Sequence, residues 1–274
     1  MRLVFSLSVL RADFHHHINT DPCDGSFVRH SAGALIDRAA AIGLDVLAIT
    51  CHESVPYDQG ATRYAADRGI LLLRGMEATV DGHHALLLNF REFPRGVCTM
   101  ADVTACKSPD AMVIAPHPFY PAAVAGGDLL VQDGAVFDAI EFSGLYTPLT
   151  QSFNRRALEH ARKANLPVVG NSDTHFLWQL GRTYTLIDAA PEPAAVLEAV
   201  RHGRVRLVTQ PLSWVHLMRF ILESHSTVRT LRDSLLYMFQ VLQRTRVRHQ
   251  PAPYAAVPVT APVPRTPELR AERR

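Results

Sequence analysis

The chain has 274 residues, 47% of them hydrophobic and 20% charged, enough to bury a large core. Its formal charge of +2 offers no global field for nucleic acid, and no apolar run approaches the roughly 20 residues of a membrane span. The four cysteines at 23, 51, 98 and 106 are too scattered for a zinc knuckle or a disulfide framework; with no convincing secretory signal, a reduced cytoplasm is the expected compartment.

Residues 3–10 read as a leading strand or a start-site extension, and they run into Arg11-Ala-Asp13-Phe-His15-His-His17. Side chains two apart on a strand share a face, so an extended 12–17 segment points Asp13, His15 and His17 one way and His16 the other. Three adjacent histidines also suit an exposed patch, and the later segments decide between the two. Ser31 caps a helix with Leu35, Ile36, Ala39 and Ala40 inward, stopped by Gly43. The strand Val46-Leu-Ala-Ile-Thr50 delivers Cys51-His52-Glu53. A helix over 61–68 follows, then Leu71-Leu-Leu-Arg-Gly-Met76 delivers Glu77, and His83-His84 opens the apolar run 85–88. After a helix over 100–107, Ala111-Met-Val-Ile-Ala115 leads into Pro116-His117-Pro118, where Pro118 biases His117 away from helix.

Residues 119–127, rich in Pro, Ala and Gly, form a loop that shapes access. The strand 137–142 carries Glu141, which reads as a partner of a ligand or a rim salt bridge and not as a ligand. Core packing is the default for Met76, Phe119, Tyr120, Phe142 and Tyr146, with a pocket wall the alternative. A helix over 149–164 precedes Leu166-Pro-Val-Val-Gly170, which leads into Asn171-Ser-Asp173-Thr-His175. A strand over 183–187 and a helix over 192–202 complete the alternation. The pattern predicts α/β with a mainly parallel sheet, whose strands end on His, Asp or Glu as ligand-bearing C-terminal rims do.

Beyond Gln210 the pattern becomes helical. Trp214, Leu217, Met218, Ile221 and Leu222 make one apolar face; Val228, Leu231, Leu235, Met238 or Phe239 and Leu242 make another. These faces call for burial against the barrel or against a second copy of the chain. His216, His225 and His249 have no ligand context. Arg244, Arg246 and Arg248 face water, and the Pro-, Ala- and Arg-rich tail predicts disorder. The organisation expected is a barrel over 1–210, a helical extension over 211–245 and a tail over 246–274.

The motifs together resemble the PHP (polymerase and histidinol phosphatase) family of metal-dependent phosphoesterases, over roughly residues 11–210. The resemblance rests on Asp13-Phe-His15-His-His17, Cys23-Asp24-Gly25, Thr50-Cys51-His52, Gly75-Met76-Glu77, His84 before an apolar strand, Ala115-Pro-His117-Pro118 and Gly170-Asn-Ser172-Asp173-Thr-His175. It implies a distorted (β/α)7-type barrel with metal ligands at His15, His17, Asp24, His52, Glu77, His84, His117, Asp173 and His175. Asp21 competes with Asp24, and His83 with His84. Cys51 departs from the Asp usual there, leaving open a thiolate that binds metal.

Leaving about nine such groups unpaired would cost roughly 1–3 kcal/mol each, approaching or exceeding a domain's stability of about 5–15 kcal/mol. Two or three divalent ions, Zn, Mn or Fe, resolve that cost. The expected partition places His15, His17, Glu77 and Asp173 on one catalytic ion, with Glu77 bridging to a second held by His84 and His117, and Asp24, His52 and His175 on a third. The expected reaction is hydrolysis of a phosphomonoester or phosphodiester of a small metabolite or nucleotide by metal-activated water. Arg182 is the first candidate for the phosphate, followed by Arg63, Arg74 and Lys107. An amidohydrolase acting on a C–N bond, which favours an active-site lysine, and a non-catalytic interaction module are the alternatives.

Overall fold

The computed structural model describes residues 9–94, 98–122 and 124–225. The expected second helical face, the basic tail and His249 lie outside these residues. The elements in chain order are β1 (Val9–Asp13), α1 (Ala32–Ile42), β2 (Val46–Ile49), α2 (Gln59–Ala66), β3 (Leu71–Val80), β4 (His83–Leu88), α3 (Met100–Cys106), β5 (Met112–Ala115), α4 (Gly127–Gln132), β6 (Ala139–Ser143), α5 (Ser152–Ala164), β7 (Val168–Asn171), β8 (Thr183–Asp188), α6 (Pro193–Arg201), β9 (Val205–Thr209) and α7 (Trp214–His225).

The strands form one sheet in the order β7-β6-β5-β4-β3-β2-β1-β8-β9. Its free ends meet, because β7 packs against β8 and β9. Gly170 N donates to Thr185 Oγ1 at 2.9 Å and Thr185 Oγ1 donates back to Gly170 O at 3.1 Å. A Cβ on Gly170 would collide with Leu207 and come within 3.0 Å of Thr183 Cγ2, so glycine lets the seam approach. The result is a nearly closed barrel of mixed α/β type.

The strand count and direction differ from the expectation. Nine strands are present among the described residues, not about seven, and the pairs β3–β4, β4–β5, β1–β8 and β8–β9 run antiparallel. The cause of the first reversal is local: Asp81 and Gly82 have φ of 48° and 80°, the positive values a tight two-residue hairpin needs. That hairpin folds His84 back beside β3. Strand β9 and helix α4 also lie in segments the sequence pattern leaves as loop.

Helix α1 begins where expected, with Ser31 Oγ accepting from Ala34 N, and ends on Gly43 in the left-handed conformation. Strand residues then sort by alternation. Leu86, Leu88, Met112 and Ile114 join a cluster with Phe14, Leu73 and Val169, to which α6 adds Val196, Leu197 and Val200. Their neighbours Ala85, Leu87, Val113 and Ala115 turn the other way, towards α3, α4 and α5.

Helix α7 presents a different face from the one its sequence suggests. Phe220 packs edge-on against Phe176, and Glu223 accepts from Trp178 Nε1 at 3.1 Å. Trp214, Val215, Met218 and Leu222 are exposed among the described residues. Aromatic partners on the Phe176–Trp178 loop, invisible to helical periodicity, set this rotation. No helix of the described residues is long and apolar enough to cross a membrane.

Candidate metal centre

The site is built from chain segments that leave the strands, joined by Glu77 within β3 and His84 within β4. After β1, His15 and His17 alternate with His16, whose ring turns back to contact the Ala48 carbonyl at 2.7 Å. The outer pair meets with the rings tilted by 53° and the Nε2 atoms 3.3 Å apart. Asp13 does not share their side as expected. The strand ends there, and its carboxylate lies 3.3 Å from His16 Nε2 and accepts from Ser172 N at 3.1 Å.

Four donor atoms converge at this point. His15 Nε2 lies 3.1 Å from Glu77 Oε2 and 3.5 Å from Asp173 Oδ1, and His17 Nε2 lies 3.3 Å from each of the same two oxygens. A tetrahedral ion with bonds of about 2.0–2.2 Å holds its ligands about 3.3–3.6 Å apart. The measured separations match that spacing.

Glu77 is the hub. Its Oε2 also lies 3.3 Å from His52 Nε2, while its Oε1 faces His84 Nδ1 at 2.7 Å and His117 Nε2 at 3.2 Å. His84 Nδ1 is buried and, despite its closeness to Glu77, has no aligned hydrogen-bond partner. A buried ring nitrogen without an aligned partner, converging with a carboxylate and a second imidazole, is the orphan an ion satisfies, so the residues fit a metal. His84, and not His83, carries this contact.

The remaining ligands close the far side. His175 Nε2 lies 2.9 Å from Asp24 Oδ2, and its Nδ1 is 3.5 Å from Asp173 Oδ1. His52 Nδ1 is 3.8 Å from Asp24 Oδ2. All nine expected ligands therefore join one continuous cluster. His117 and Asp173 sit at φ of 29° and 51°, left-handed conformations that few non-glycine residues adopt and that concentrate at functional sites.

Asp21 takes a supporting place instead of a ligand's. Its Oδ2 accepts from His17 Nδ1 at 2.8 Å and from His52 N at 2.9 Å, and its Oδ1 accepts from Cys23 N and Asp24 N at 2.8 and 2.9 Å. Glu141 does the same for His15: its Oε2 lies 2.9 Å from His15 Nδ1 and accepts from Asn171 Nδ2 at 3.0 Å, and its Oε1 accepts from His117 N at 3.2 Å. Asn171, whose Oδ1 accepts from Phe14 N at 2.9 Å, is a supporting residue that sequence reasoning overlooked. Its place inside the Asp173 motif was the available signal.

The electrostatics follow from this crowding. For six of the groups burial opposes charge, yet it loses to the partners. His15 is raised well above its usual value by Asp173, Glu77 and Glu141, and His117 and His175 are raised too. Against burial, the Asp21 hydrogen bond and the Glu77 charge push His52 up to about 9. Glu77 and Asp173 are held well below the carboxylate range, against burial, chiefly by His15. Without metal, protons occupy the imidazoles that a metal would displace.

Cys51 is fully buried against Leu35, Leu47 and Ile49, and burial pushes its thiol up to about 12. A thiol so hard to ionise is a core residue here and not a thiolate ligand.

Of the expected phosphate contacts, Arg182, Arg74 and Lys107 each have a partner elsewhere. Arg182 Nη2 donates to the Pro211 carbonyl at 2.8 Å. Arg74 lies over the rings of Tyr57 and Phe93, and Lys107 pairs with Asp138 at 2.9 Å. Arg63 lies within α2, in its last turn. A hollow of about 420 Å³ beside the Asp173-Thr-His175 segment is lined by Arg29, His30, Phe176, Trp178, Arg219 and Glu223. Phe27 stacks on the His175 ring, with centroids 5.4 Å apart. No sequence motif marks these residues.

Comparison with known proteins adds the following. Residues 151–205 match a family model described as PHP-associated. No curated protein matches the sequence. Among solved structures, PsfC from Pseudomonas syringae is similar at 17% identity and a TM-score of 0.58, covering 80% of this chain and 99% of that one. A candidate metal-dependent phosphoesterase from Bifidobacterium adolescentis has 17% identity and a TM-score of 0.47, covering 60% of this chain and 87% of that one. An amidohydrolase from Chromobacterium violaceum, solved with sulfate and no metal, has 19% identity and a TM-score of 0.44 at the same coverages, 60% and 87%. The PsfC likeness establishes a shared fold only. The matched segment spans α5 to the start of β9 and contains Asp173 and His175.

Proposed function

We propose that the chain is a metal-dependent phosphoesterase that hydrolyses a phosphate ester of a small metabolite or nucleotide. The observation that carries this reading is the convergence of His15 Nε2, His17 Nε2, Glu77 Oε2 and Asp173 Oδ1 at separations of 3.1–3.5 Å. These four would hold one ion, Glu77, His84 and His117 would hold a second, and Asp24, His175 and His52 would hold a third. Asp21, Asp24, Glu77, Glu141 and Asp173 bring five carboxylates to the cluster, a negative charge that two or three dications offset.

Bound divalent ions supply a nucleophilic hydroxide near neutral pH and stabilise charge on the phosphoryl and leaving oxygens. The protein's share is orientation. Glu141 fixes the His15 ring through Nδ1 and so leaves Nε2 to face the cluster, and Asp21 does the same for His17. The Glu141 contact to the His117 backbone nitrogen couples that ligand to the same carboxylate. Because these rings are held by buried partners, little reorganisation accompanies reaction.

The amidohydrolase alternative gains no observation: Lys107 is bound to the Val136 carbonyl and Asp138, and Lys163 is exposed in the last turn of α5. The completeness of the ligand set speaks against a purely non-catalytic module.

The test is phosphate release by the purified chain loaded with Mn, Zn or Fe, across sugar phosphates, histidinol phosphate, mononucleotides and nucleoside bisphosphates. Turnover of one class, absent from the His15→Ala variant, is expected. No release from any substrate with any metal would overturn the reading.

A further inference from the structure

We infer that Asp21 is a positioning residue that binds the ligand set together, dictating which ring nitrogen His17 presents to metal and fixing His52 and Asp24 in the same act. The inference rests on the metal-centre reading above and adds a role to a residue outside the nine ligands.

Asp21 lies in the loop after the Asp13-to-His17 segment and is 4% exposed. Every partner of its carboxylate is a donor. Oδ2 accepts from His17 Nδ1 at 2.8 Å and His52 N at 2.9 Å; Oδ1 accepts from Cys23 N at 2.8 Å and Asp24 N at 2.9 Å; His52 Nδ1 lies 3.1 and 3.2 Å from the two oxygens. The consequences differ by partner. A proton held on His17 Nδ1 by a carboxylate leaves the Nε2 lone pair for the ion shared with His15. The bonds to Cys23 N and Asp24 N fold the loop so that Asp24 faces His175 Nε2 at 2.9 Å. One side chain thus touches both the His15–His17 end and the Asp24–His175 end of the cluster, and has no contact with the Glu77–His84–His117 side.

This arrangement also predicts that the isosteric amide cannot replace the carboxylate. With donors on both oxygens, an asparagine must turn its own N–H groups towards either His17 and His52 or Cys23 and Asp24, leaving one pair unsatisfied. A glutamate keeps the charge but not the reach.

The test uses the full chain loaded with Zn and labelled with ¹⁵N at histidine. Long-range ¹H–¹⁵N spectra, assigned with His17→Gln, read which nitrogen of His17 carries the proton. Wild type is expected to hold it on Nδ1; a proton on Nε2 would overturn the inference without any variant of Asp21. Chelator competition then follows Zn affinity in Asp21→Asn and Asp21→Glu, at temperatures where circular dichroism reports an intact fold. Asparagine is expected to weaken part of the bound Zn by about 10–100-fold, with glutamate intermediate and the remaining Zn unchanged. Affinities equal to wild type, or a uniform loss of all equivalents, would overturn it. A wild type that binds no Zn overturns the metal-centre reading itself, a separate outcome.

Discussion

His15 Nε2 and His17 Nε2 stand 3.3 Å apart, both rings fully buried or nearly so. The back nitrogen of each ring faces a carboxylate, Glu141 behind His15 and Asp21 behind His17. With their outer nitrogens so engaged, the two inner nitrogens converge on one point, where a single cation can bind both rings. That relation predicts the effect of removing one ring. His15→Ala should abolish phosphate release while the circular dichroism spectrum stays close to wild type, and Asp173→Asn should do the same. Parental turnover in both variants would refute the role given to these residues.

Metal should stabilise the fold. An ion that binds only the native state, supplied at about 100 times its Kd, adds about 2.7 kcal/mol, which moves the melting temperature of a chain of this size by about 5–10 °C. Scanning calorimetry with and without a chelator measures the shift. Identical melting temperatures would count against a site that binds metal.

The metal-free protein should have its own pH signature. His15, His52, His117 and His175 are raised by partner charges that outweigh burial. Their contribution is therefore present below about 6.5, the unfolded value, and fades as pH rises, for His52 through about 9. Asp21, Asp24, Glu77 and Asp173 are lowered, so their contribution is present above about 4 and fades as pH falls. Metal-free stability should peak between these limits. Since ligation requires unprotonated imidazoles, the gap in melting temperature between loaded and metal-free protein should widen from pH 6 to pH 9. A constant gap would contradict the linkage.

Glu141→Gln should weaken metal binding by about 10–100-fold with the fold retained, because Glu141 sets the His15 ring and touches the His117 backbone. Chelator competition gives the number. An unchanged affinity would leave Glu141 as a passive core carboxylate.

Cys51→Ala should cost about 1–2 kcal/mol of stability, as the loss of a small buried side chain does, and should leave metal content alone, since the thiol is buried and pushed up to about 12. Loss of a metal equivalent would restore Cys51 to the ligand set.

Several of the ligand candidates were legible because they sit where a short apolar run ends, and such runs are local. Glu77, His117 and Asp173 each follow such a run, so the pattern located them without knowledge of the fold. Choosing between Asp21 and Asp24 required the loop itself, since both are acidic and three residues apart; only the hydrogen bonds to Cys23 N and Asp24 N show which one turns inward. The Asp81-Gly82 hairpin was readable as a turn, but its effect on strand direction depends on β4 pairing with β5, a non-local fact. The exposed Trp214 and Met218 show the limit of helical periodicity: which face of α7 is covered depends on Phe176 and Trp178, some forty residues earlier.

Elemental analysis of the purified full chain tests the central claim most directly. Two or three equivalents of tightly bound divalent metal per chain are predicted, falling in His15→Ala. Fewer than one equivalent, after exposure to Zn, Mn and Fe in turn, would contradict the account.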